Sequence, residues 1–321
     1  MGEIYHPSLQ DSLLVSLIFY FPVIVSFVFG TIIGSLSNVI IYRLVYYKSI
    51  WSPSSHCTSC GTEIPWYLNI PIVSYLVLRG RCRFCGAKFT MRYFWVELAS
   101  GLLYALVILW AYTFPERQGG FGIPFREVFT YGFTATPSLT FEPGPLAMLW
   151  MAKAFIFTTL LIILTVIDLE HRLLPDRLTF PGTILGLLLS VGAPLLRPEI
   201  GVLGTSGVLD AFLQSLFGML IGGGVLLLIA YLALMLAPVP MGAGDIKLVA
   251  MIGAFVGLFA IGPSLFLGFV IGGVISIVLL ILGRAKMKSL IPFGPFLALG
   301  GLLGFYWGYA IWFWYLSYMK S

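Results

Sequence analysis

Long apolar runs recur along the whole chain, and they constrain its fold more than any other feature of the sequence. Each is close to the ~20 residues with which an α-helix crosses the hydrocarbon core of a bilayer. The chain is 59% hydrophobic and only 10% charged, which excludes an ordinary soluble globular protein. We therefore predict an all-α polytopic membrane protein with about eight transmembrane helices. The eight stretches are residues 14–42, 93–113, 147–168, 179–196, 211–237, 246–261, 264–283 and 293–317.

Two features of these assignments are open: the separation of the sixth and seventh stretches, and the fourth stretch. Only Gly262 and Pro263 separate the sixth and seventh stretches, so this pair could instead be re-entrant. The fourth stretch is short for a span. The first stretch is long and has no basic segment before it, so we expect no cleavable signal peptide.

The distribution of Lys and Arg residues predicts the orientation in the membrane. Of the 18 such residues, 13 fall on one side of the eight-span arrangement. The positive-inside rule places these segments in the cytoplasm and both termini outside it. Because the basic residues are spread over alternate loops, the net charge of +5 is a topology signal, and we expect no nucleic-acid partner. The 13 residues are Arg43, Lys48, Arg79, Arg81, Arg83, Lys88, Arg92, Arg172, Arg177, Lys247, Arg284, Lys286 and Lys288.

Composition divides the chain into four parts. Residues 1–45 hold the first span, and residues 46–92 form a small cytoplasmic domain that contains all four cysteines. Residues 93–146 hold the second span and an outer loop rich in Pro and Gly, to which we assign no chemistry. Residues 147–321 hold the remaining six spans.

The four cysteines have the spacing of a metal site. Cys57 and Cys60 form one C-x2-C pair, and Cys82 and Cys85 form a second after 21 intervening residues. Each pair can present two thiolates to a tetrahedral zinc ion, so we predict a structural zinc knuckle with four cysteine ligands. Two disulfides are the alternative, which a cytoplasmic location disfavours. His56 could in principle substitute as a ligand.

Two carboxylates stand at the ends of apolar runs on the predicted cytoplasmic side. Asp168 ends the third stretch, and Asp245 lies in Gly242-Ala243-Gly244-Asp245 before the sixth. An acid near hydrocarbon costs a few kcal/mol (~2.5–3.5), so such residues usually face a partner or a polar cavity. Two adjacent carboxylates can share a proton, one acting as general base on water while the other polarises a carbonyl. Gly242 and Gly244 would let a peptide approach the acid closely.

Each acid also has a simpler interpretation. Asp168 could begin a solvated loop and pair with a neighbouring Arg, because Glu170, Arg172 and Asp176 follow it. Asp245 could be the N-cap of the next helix, since Asp is a favoured capping residue. Non-enzymatic transport is a further alternative, with both acids as ion or proton sites. Against transport, the acids lie towards the cytoplasmic ends of the spans, apart from Asp210 at the outer edge of span five.

These motifs, taken together, resemble the type IV prepilin peptidases, bacterial aspartyl proteases with a GxGD motif. The resemblance covers nearly the whole chain, including the cysteine domain, and so argues against a presenilin-like protease with another substrate. The matching blocks are GSLSNVIIYRL at 34–44, the segment from Ser55 to Cys60, NIPIVSY at 69–75, RGRC at 79–82, VEL at 96–98, IDLE at 167–170 with LPD at 174–176, GAGDIKL at 242–248 and PFGPF at 292–296.

The resemblance implies a location in the cell and two activities. It implies that Asp168 and Asp245 are the catalytic pair in the bacterial inner membrane, and that they face the cytoplasm. It implies type IV prepilins or pseudopilins as substrates, cut between a short basic leader and an apolar helix. Members of this length also N-methylate the new amine with S-adenosylmethionine. Glu97 is the candidate methyl-transfer residue, because it is the acid in a matching block near the cysteine domain. The alternative is that its charge orients the second span at the inner interface. No glycine-rich dinucleotide-type loop is present.

Small residues recur at i, i+4 spacing in the spans, which allows close approach of helix backbones. We expect these positions to pack the bundle internally, with an oligomer interface as the alternative. The pairs are Gly218/Gly222, Gly253/Gly257, Gly268/Gly272 and Gly304/Gly308.

Overall fold

The protein is described by a computed structural model that covers residues 9–46, 56–57, 59–113, 145–196, 207–236, 242–284 and 292–319. Regular structure in these ranges is helical, apart from two isolated β-bridges. This confirms the prediction of an all-α protein. The helices are α1 (Leu9–Val45), a 3-10 turn (Trp66–Leu68), α2 (Val73–Val77), α3 (Arg92–Thr113), α4 (Pro145–His171), α5 (Asp176–Leu196), α6 (Gly207–Leu236), α7 (Ala243–Val256), α8 (Leu258–Ile281) and α9 (Gly294–Met319).

Six of these helices are long and apolar enough to cross a membrane. They are α1, α3, α4, α6, α8 and α9. The predicted count of eight is not confirmed, because α5 and α7 are outside this set in the described part of the chain. With 14 residues, α7 is about 21 Å long, which is shorter than the hydrocarbon core of about 30 Å.

The break between the sixth and seventh predicted spans lies earlier than the sequence indicated. Helix α7 ends at Val256, and α8 continues through Gly262 and Pro263 without interruption. The chain turns at Gly257, where φ is +80° and ψ is −179°. Only glycine adopts this conformation without strain. Pro263 costs α8 a single backbone hydrogen bond, so it was the weaker of the two signals.

The chain divides into two compact units, and each is described separately. Among the described residues, the first unit contains α1 up to Val39 and the chain from His56 to Thr113. The second contains residues 40–46 and the helices α4 to α9. In the first unit, the Asn38 amide donates to the carbonyl oxygen of Tyr93 (3.1 Å), which ties α1 to the start of α3. The four-part domain division remains a prediction.

The helices of the second unit pack closely at glycine. A Cβ on Gly308 would lie 2.6 Å from the Cβ of Ala260, and one on Gly272 would lie 2.9 Å from the Phe293 ring. The paired glycines therefore contact neighbouring helices of the same chain, as predicted. Aromatic rings fill the core beside them, since Phe157 stacks on Phe255 with ring centroids 4.7 Å apart.

Candidate active site and metal centre

Asp168 lies in the last turn of α4 and is almost fully buried. Its exposed fraction is 6%, and the preceding Ile167 is completely buried. The interpretation as the start of a solvated loop is therefore wrong, because α4 continues to His171. The backbone N–H of Gly294 donates a hydrogen bond to Oδ2 of Asp168 at 3.0 Å. The positive charge of Arg172, one turn further along, also acts on this carboxylate.

Asp245 lies in the first turn of α7, where the N-cap is Gly242. The interpretation of Asp245 as the N-cap is therefore not borne out. Its carboxyl is half-buried and lies outside the six candidate spans. Burial, and then the negative charge of Asp168, raise the pKa of the Asp245 carboxyl to about 6. The structure thus brings the two predicted acids within electrostatic reach of one another.

The two glycines before Asp245 have different surroundings. Gly242 has an ordinary extended backbone with φ of −63°, and a Cβ there would meet only Oδ2 of Asp245 at 3.5 Å. Gly244 is helical, and a Cβ there would lie 2.9 Å from the Cβ of Leu174. Gly244 therefore lets the segment before α5 pack against the first turn of α7. Gly242 leaves the approach to Asp245 open.

A third acid, Asp176, lies near Asp168 in sequence and pairs with a lysine. Asp176, the first residue of α5, accepts a hydrogen bond from the Lys247 ammonium at 2.6 Å. Both side chains are substantially exposed to solvent. This ion pair joins the start of α5 to the first turns of α7, close in sequence to both candidate acids. Asp176 is thus engaged in a surface ion pair.

The four cysteines converge as predicted. Their Sγ atoms all lie within 4.8 Å of one another, and they are the metal-competent cluster in the described ranges. The two pairs adopt the same kind of turn. The Cys57 N–H donates to the carbonyl oxygen of Thr62, and the Cys82 N–H donates to the carbonyl oxygen of Ala87. Gly61 and Gly86 both have φ of +71°, the left-handed conformation that such a turn requires.

The sulfur geometry fits a tetrahedral metal ion. A Zn–S bond of ~2.3 Å implies sulfur separations of about 3.8 Å. The Cys57 and Cys85 sulfurs are 3.8 Å apart, and all four thiols are free. The disulfide alternative is therefore not adopted. His56 lies in a β-bridge with Glu63 and is not part of the sulfur cluster.

Glu97 lies in the second turn of α3 and is 8% exposed. Its Oε2 accepts a hydrogen bond from the Ile72 N–H at 2.7 Å, and Ser35 also hydrogen-bonds its carboxylate. Gly34 packs closely against Glu97, because a Cβ on Gly34 would lie only 2.7 Å from the Cα of Glu97. Three segments of the first unit therefore meet at this carboxylate.

Gly294, whose amide binds Asp168, was not among the site residues predicted from the sequence. Its signal was present in the PFGPF block at residues 292–296, between two apolar stretches. A backbone donor has no side-chain chemistry, so residue type alone could not mark it as part of the site.

The amino-acid sequence matches known proteins over nearly its whole length. A sequence profile for the bacterial peptidase A24 N-terminal domain matches residues 28–112, and one for the type IV leader peptidase family matches residues 155–277. A prepilin leader peptidase/N-methyltransferase of Aeromonas salmonicida strain A449 is 33% identical over 91% of this chain and 92% of its own length. The chain belongs to the type IV leader peptidase family.

Other relatives in the type IV leader peptidase family agree in coverage. Proteins with the same printed name from Legionella pneumophila and Stutzerimonas stutzeri are 30% and 29% identical, each over 93% of this chain. The alignments cover 96% and 95% of those two proteins. No solved structure shows a significant match. The two profile matches include the four cysteines and Glu97 in one case, and Asp168 and Asp245 in the other.

Proposed function

We propose that this protein is an intramembrane aspartyl endopeptidase that removes the leader of type IV prepilins and pseudopilins and then N-methylates the new N-terminus. The observation that carries the proposal is the pairing of Asp168 and Asp245. One carboxylate is buried and hydrogen-bonded, and the other has its pKa raised to about 6 by burial and by the first. Relatives named prepilin leader peptidase/N-methyltransferase, aligned along nearly the whole chain, support both activities.

Peptide hydrolysis by this pair needs one ionised and one protonated carboxyl group. The ionised group takes a proton from water, whose oxygen attacks the scissile carbonyl carbon while the protonated group gives its proton to the carbonyl oxygen. The first group then returns its proton to the amide nitrogen as the C–N bond breaks, and a proton of the gem-diol restores the second. Both groups end in their starting states, so the pair is ready for another substrate.

The proposed active site faces the cytoplasm in the bacterial inner membrane. The segment after Asp168 carries Arg172 and Arg177, and Lys247 follows Asp245, so the positive-inside rule assigns both acids to the cytoplasmic face. A prepilin is held in the bilayer by its apolar helix, so its leader junction lies at the same membrane surface.

The cysteine cluster is proposed to hold a structural zinc ion. Cys57, Cys60, Cys82 and Cys85 would be its four ligands. Four thiolates leave no open coordination position for a substrate, so the ion would stabilise the fold of the 46–92 segment. The ion would then affect activity only through the folding of this segment.

Methyl transfer is proposed to use S-adenosylmethionine as co-substrate, with Glu97 as the residue that carries or supports it. The co-substrate would supply an electrophilic methyl group. The neutral amine of the cleaved pilin would bond to the methyl carbon as the bond from that carbon to the sulfonium sulfur breaks. The sulfur would leave as a neutral thioether, and the methylated ammonium would then lose one proton to water. Glu97 is a buried carboxylate in the first unit, in the part of the chain that matches the N-terminal domain profile. We assign no other residue to this step.

The decisive experiment compares wild type with Asp168→Asn and Asp245→Asn in cleavage of a prepilin in proteoliposomes. Asn keeps the shape of each side chain and removes its titratable proton. Asp176→Asn is the matched control, since it removes an acid that is engaged by Lys247. We expect both dyad variants to be folded and inert, with Asp176→Asn active. Mass spectrometry of the wild-type product should show one added methyl group when S-adenosylmethionine is present.

Either dyad variant that cleaves at the wild-type rate would overturn the aspartyl assignment. Transport by the same two acids would then be the candidate to test, by ion or proton flux across the same proteoliposomes.

A further inference from the structure

The two acids of the pair differ in what surrounds them, and this difference originates in the first turn of α9. Phe293 caps this helix, since its carbonyl oxygen accepts the N–H groups of Phe296 and Leu297 at 3.1 and 3.2 Å. Pro295 has no N–H to donate. The first turn of α9 therefore keeps one backbone donor with no partner inside the helix, the N–H of Gly294, and it binds Oδ2 of Asp168.

The packing at this point is specific for glycine. A Cβ on residue 294 would lie 2.5 Å from Oδ2 and 3.0 Å from Cγ of Asp168. The Gly294 φ value is not among the positive ones, so its conformation does not require glycine. What requires glycine is the close approach of a buried carboxylate to the backbone of α9.

A backbone N–H at a helix N-terminus stabilises a carboxylate in its ionised form, through both the hydrogen bond and the helix dipole. Burial of Asp168 opposes its ionisation, and two groups act against that cost: the Gly294 N–H and, from the end of α4, the charge of Arg172. Asp245 has no hydrogen bond to its carboxylate from the described residues, and the charge that acts on it is the negative charge of Asp168. The adjacent Lys247 is paired with Asp176. The first turn of α9 contributes no titratable side chain.

We propose that the Gly294 amide is a positioning group that holds Asp168 as the ionised general base and leaves Asp245 as the proton donor to the scissile carbonyl. This inference rests on the proposed peptidase function and assigns the two roles within it. Asp168 takes the proton of the attacking water and returns it to the departing amide nitrogen. Asp245 gives its proton to the carbonyl oxygen and regains one when the gem-diol collapses.

The test uses two alanine substitutions in the same helix. Gly294→Ala places a Cβ 2.5 Å from the Asp168 carboxylate, whereas Gly308→Ala places one 2.6 Å from the Ala260 Cβ, far from the acids. Both should lower the thermal unfolding temperature. Gly294→Ala alone should reduce kcat for prepilin cleavage, by on the order of 100-fold, because it displaces the base. It should also move the acidic limb of the kcat/KM profile to higher pH.

A backbone ester at position 294, made by incorporating glycolic acid in place of glycine, separates the hydrogen bond from the steric effect. It removes the N–H and adds no Cβ. Because the ionised form of Asp168 loses a donor, Asp168 should protonate at a higher pH. The midpoint of the acidic limb should therefore move up by roughly one pH unit, while the midpoint of the alkaline limb should not change.

Three outcomes overturn the inference. They are an ester variant with an unchanged acidic limb, an ester variant in which only the alkaline limb moves, and a Gly308→Ala variant with the same loss of kcat and the same pH shift as Gly294→Ala. Failure of the proposed function is distinguishable from these. In that case Asp168→Asn or Asp245→Asn would still cleave, whatever the Gly294 variants do.

Discussion

The amide nitrogen of Ile72 lies 2.7 Å from Oε2 of Glu97, and this hydrogen bond holds a strained turn against α3. Ile72 has φ of 62° and ψ of −53°, and the Val73 N–H donates to the Pro71 carbonyl at 2.6 Å. These are the features of a γ-turn of the rare, strained type, and a β-branched residue is an outlier in it. The buried carboxylate supplies an interaction that keeps the turn in this conformation.

We expect Glu97→Ala to abolish N-methylation while leaving leader cleavage within about threefold of wild type. The change leaves the Ile72 N–H without its acceptor, a loss of about 1–3 kcal/mol that should release the turn. Cleavage is proposed to use Asp168 and Asp245, which belong to the second unit. Methylated and unmethylated products are quantified by mass spectrometry after complete cleavage.

Glu97→Gln separates chemistry from positioning. The amide oxygen of Gln can still accept the Ile72 N–H, but the carboxylate is gone. A Gln variant that methylates normally would show that Glu97 acts by positioning the turn. A variant that is folded and cannot methylate would assign the carboxylate to the transfer itself. Glu170→Ala, at an exposed acid in the second unit, is the control and should methylate normally.

Removal of the metal should affect the two activities unequally. Wild-type protein should contain one zinc ion per chain, and Cys57→Ser with Cys60→Ser should contain none. Since metal binding and folding are coupled in such sites, the 56–92 region should then exchange its amide hydrogens rapidly. Methylation should fail while cleavage survives.

His56→Ala is the control for this prediction, because His56 lies outside the sulfur cluster. It should retain zinc and both activities. A zinc-free double serine variant with normal methylation would show that the cluster is dispensable, and metal loss from His56→Ala would contradict the assignment of the four cysteines as the complete ligand set.

Leader cleavage should also depend on pH in a defined direction. Burial and the charge of Asp168 raise the pKa of Asp245 to about 6, so this group is protonated below that pH and ionised above it. If Asp245 supplies the proton, kcat/KM in proteoliposomes should fall as the pH rises through about 6. The Asp176→Asn variant should keep the same midpoint, since that acid is paired at the surface. If Asp176→Asn moves the alkaline limb, that limb reports the titration of Asp176 and not of Asp245.

Residue chemistry and spacing were sufficient to predict the four-cysteine cluster and the pairing of Asp168 with Asp245 from the sequence. A carboxylate in a membrane segment is costly unless it has a partner, and two C-x2-C pairs are a specific pattern of metal ligands, so both kinds of position carry information. The role of Gly294 was not predictable, because a backbone amide 126 residues from Asp168 along the chain leaves no mark in composition. The end of α7 was also misplaced, since a positive φ at Gly257 is invisible among so many glycines.

The packing of Gly244 against Leu174 provides a test in which one substitution should correct another. Gly244→Ala places a Cβ 2.9 Å from the Leu174 Cβ, so it should shift the first turn of α7 and Asp245 with it. We expect cleavage to fall by about tenfold or more. Leu174→Gly in the same chain removes the Cβ, Cγ and Cδ atoms that the new methyl group would meet, and it should restore much of the rate. Gly242→Ala, where the new Cβ would make only an ordinary contact with Asp245 at 3.5 Å, should cost less than Gly244→Ala. If the double variant is no more active than Gly244→Ala, the contact with Leu174 is not the reason that glycine is required. The binding of a non-cleavable leader peptide to Gly242→Ala and Gly244→Ala would then test whether the glycines are needed for substrate binding.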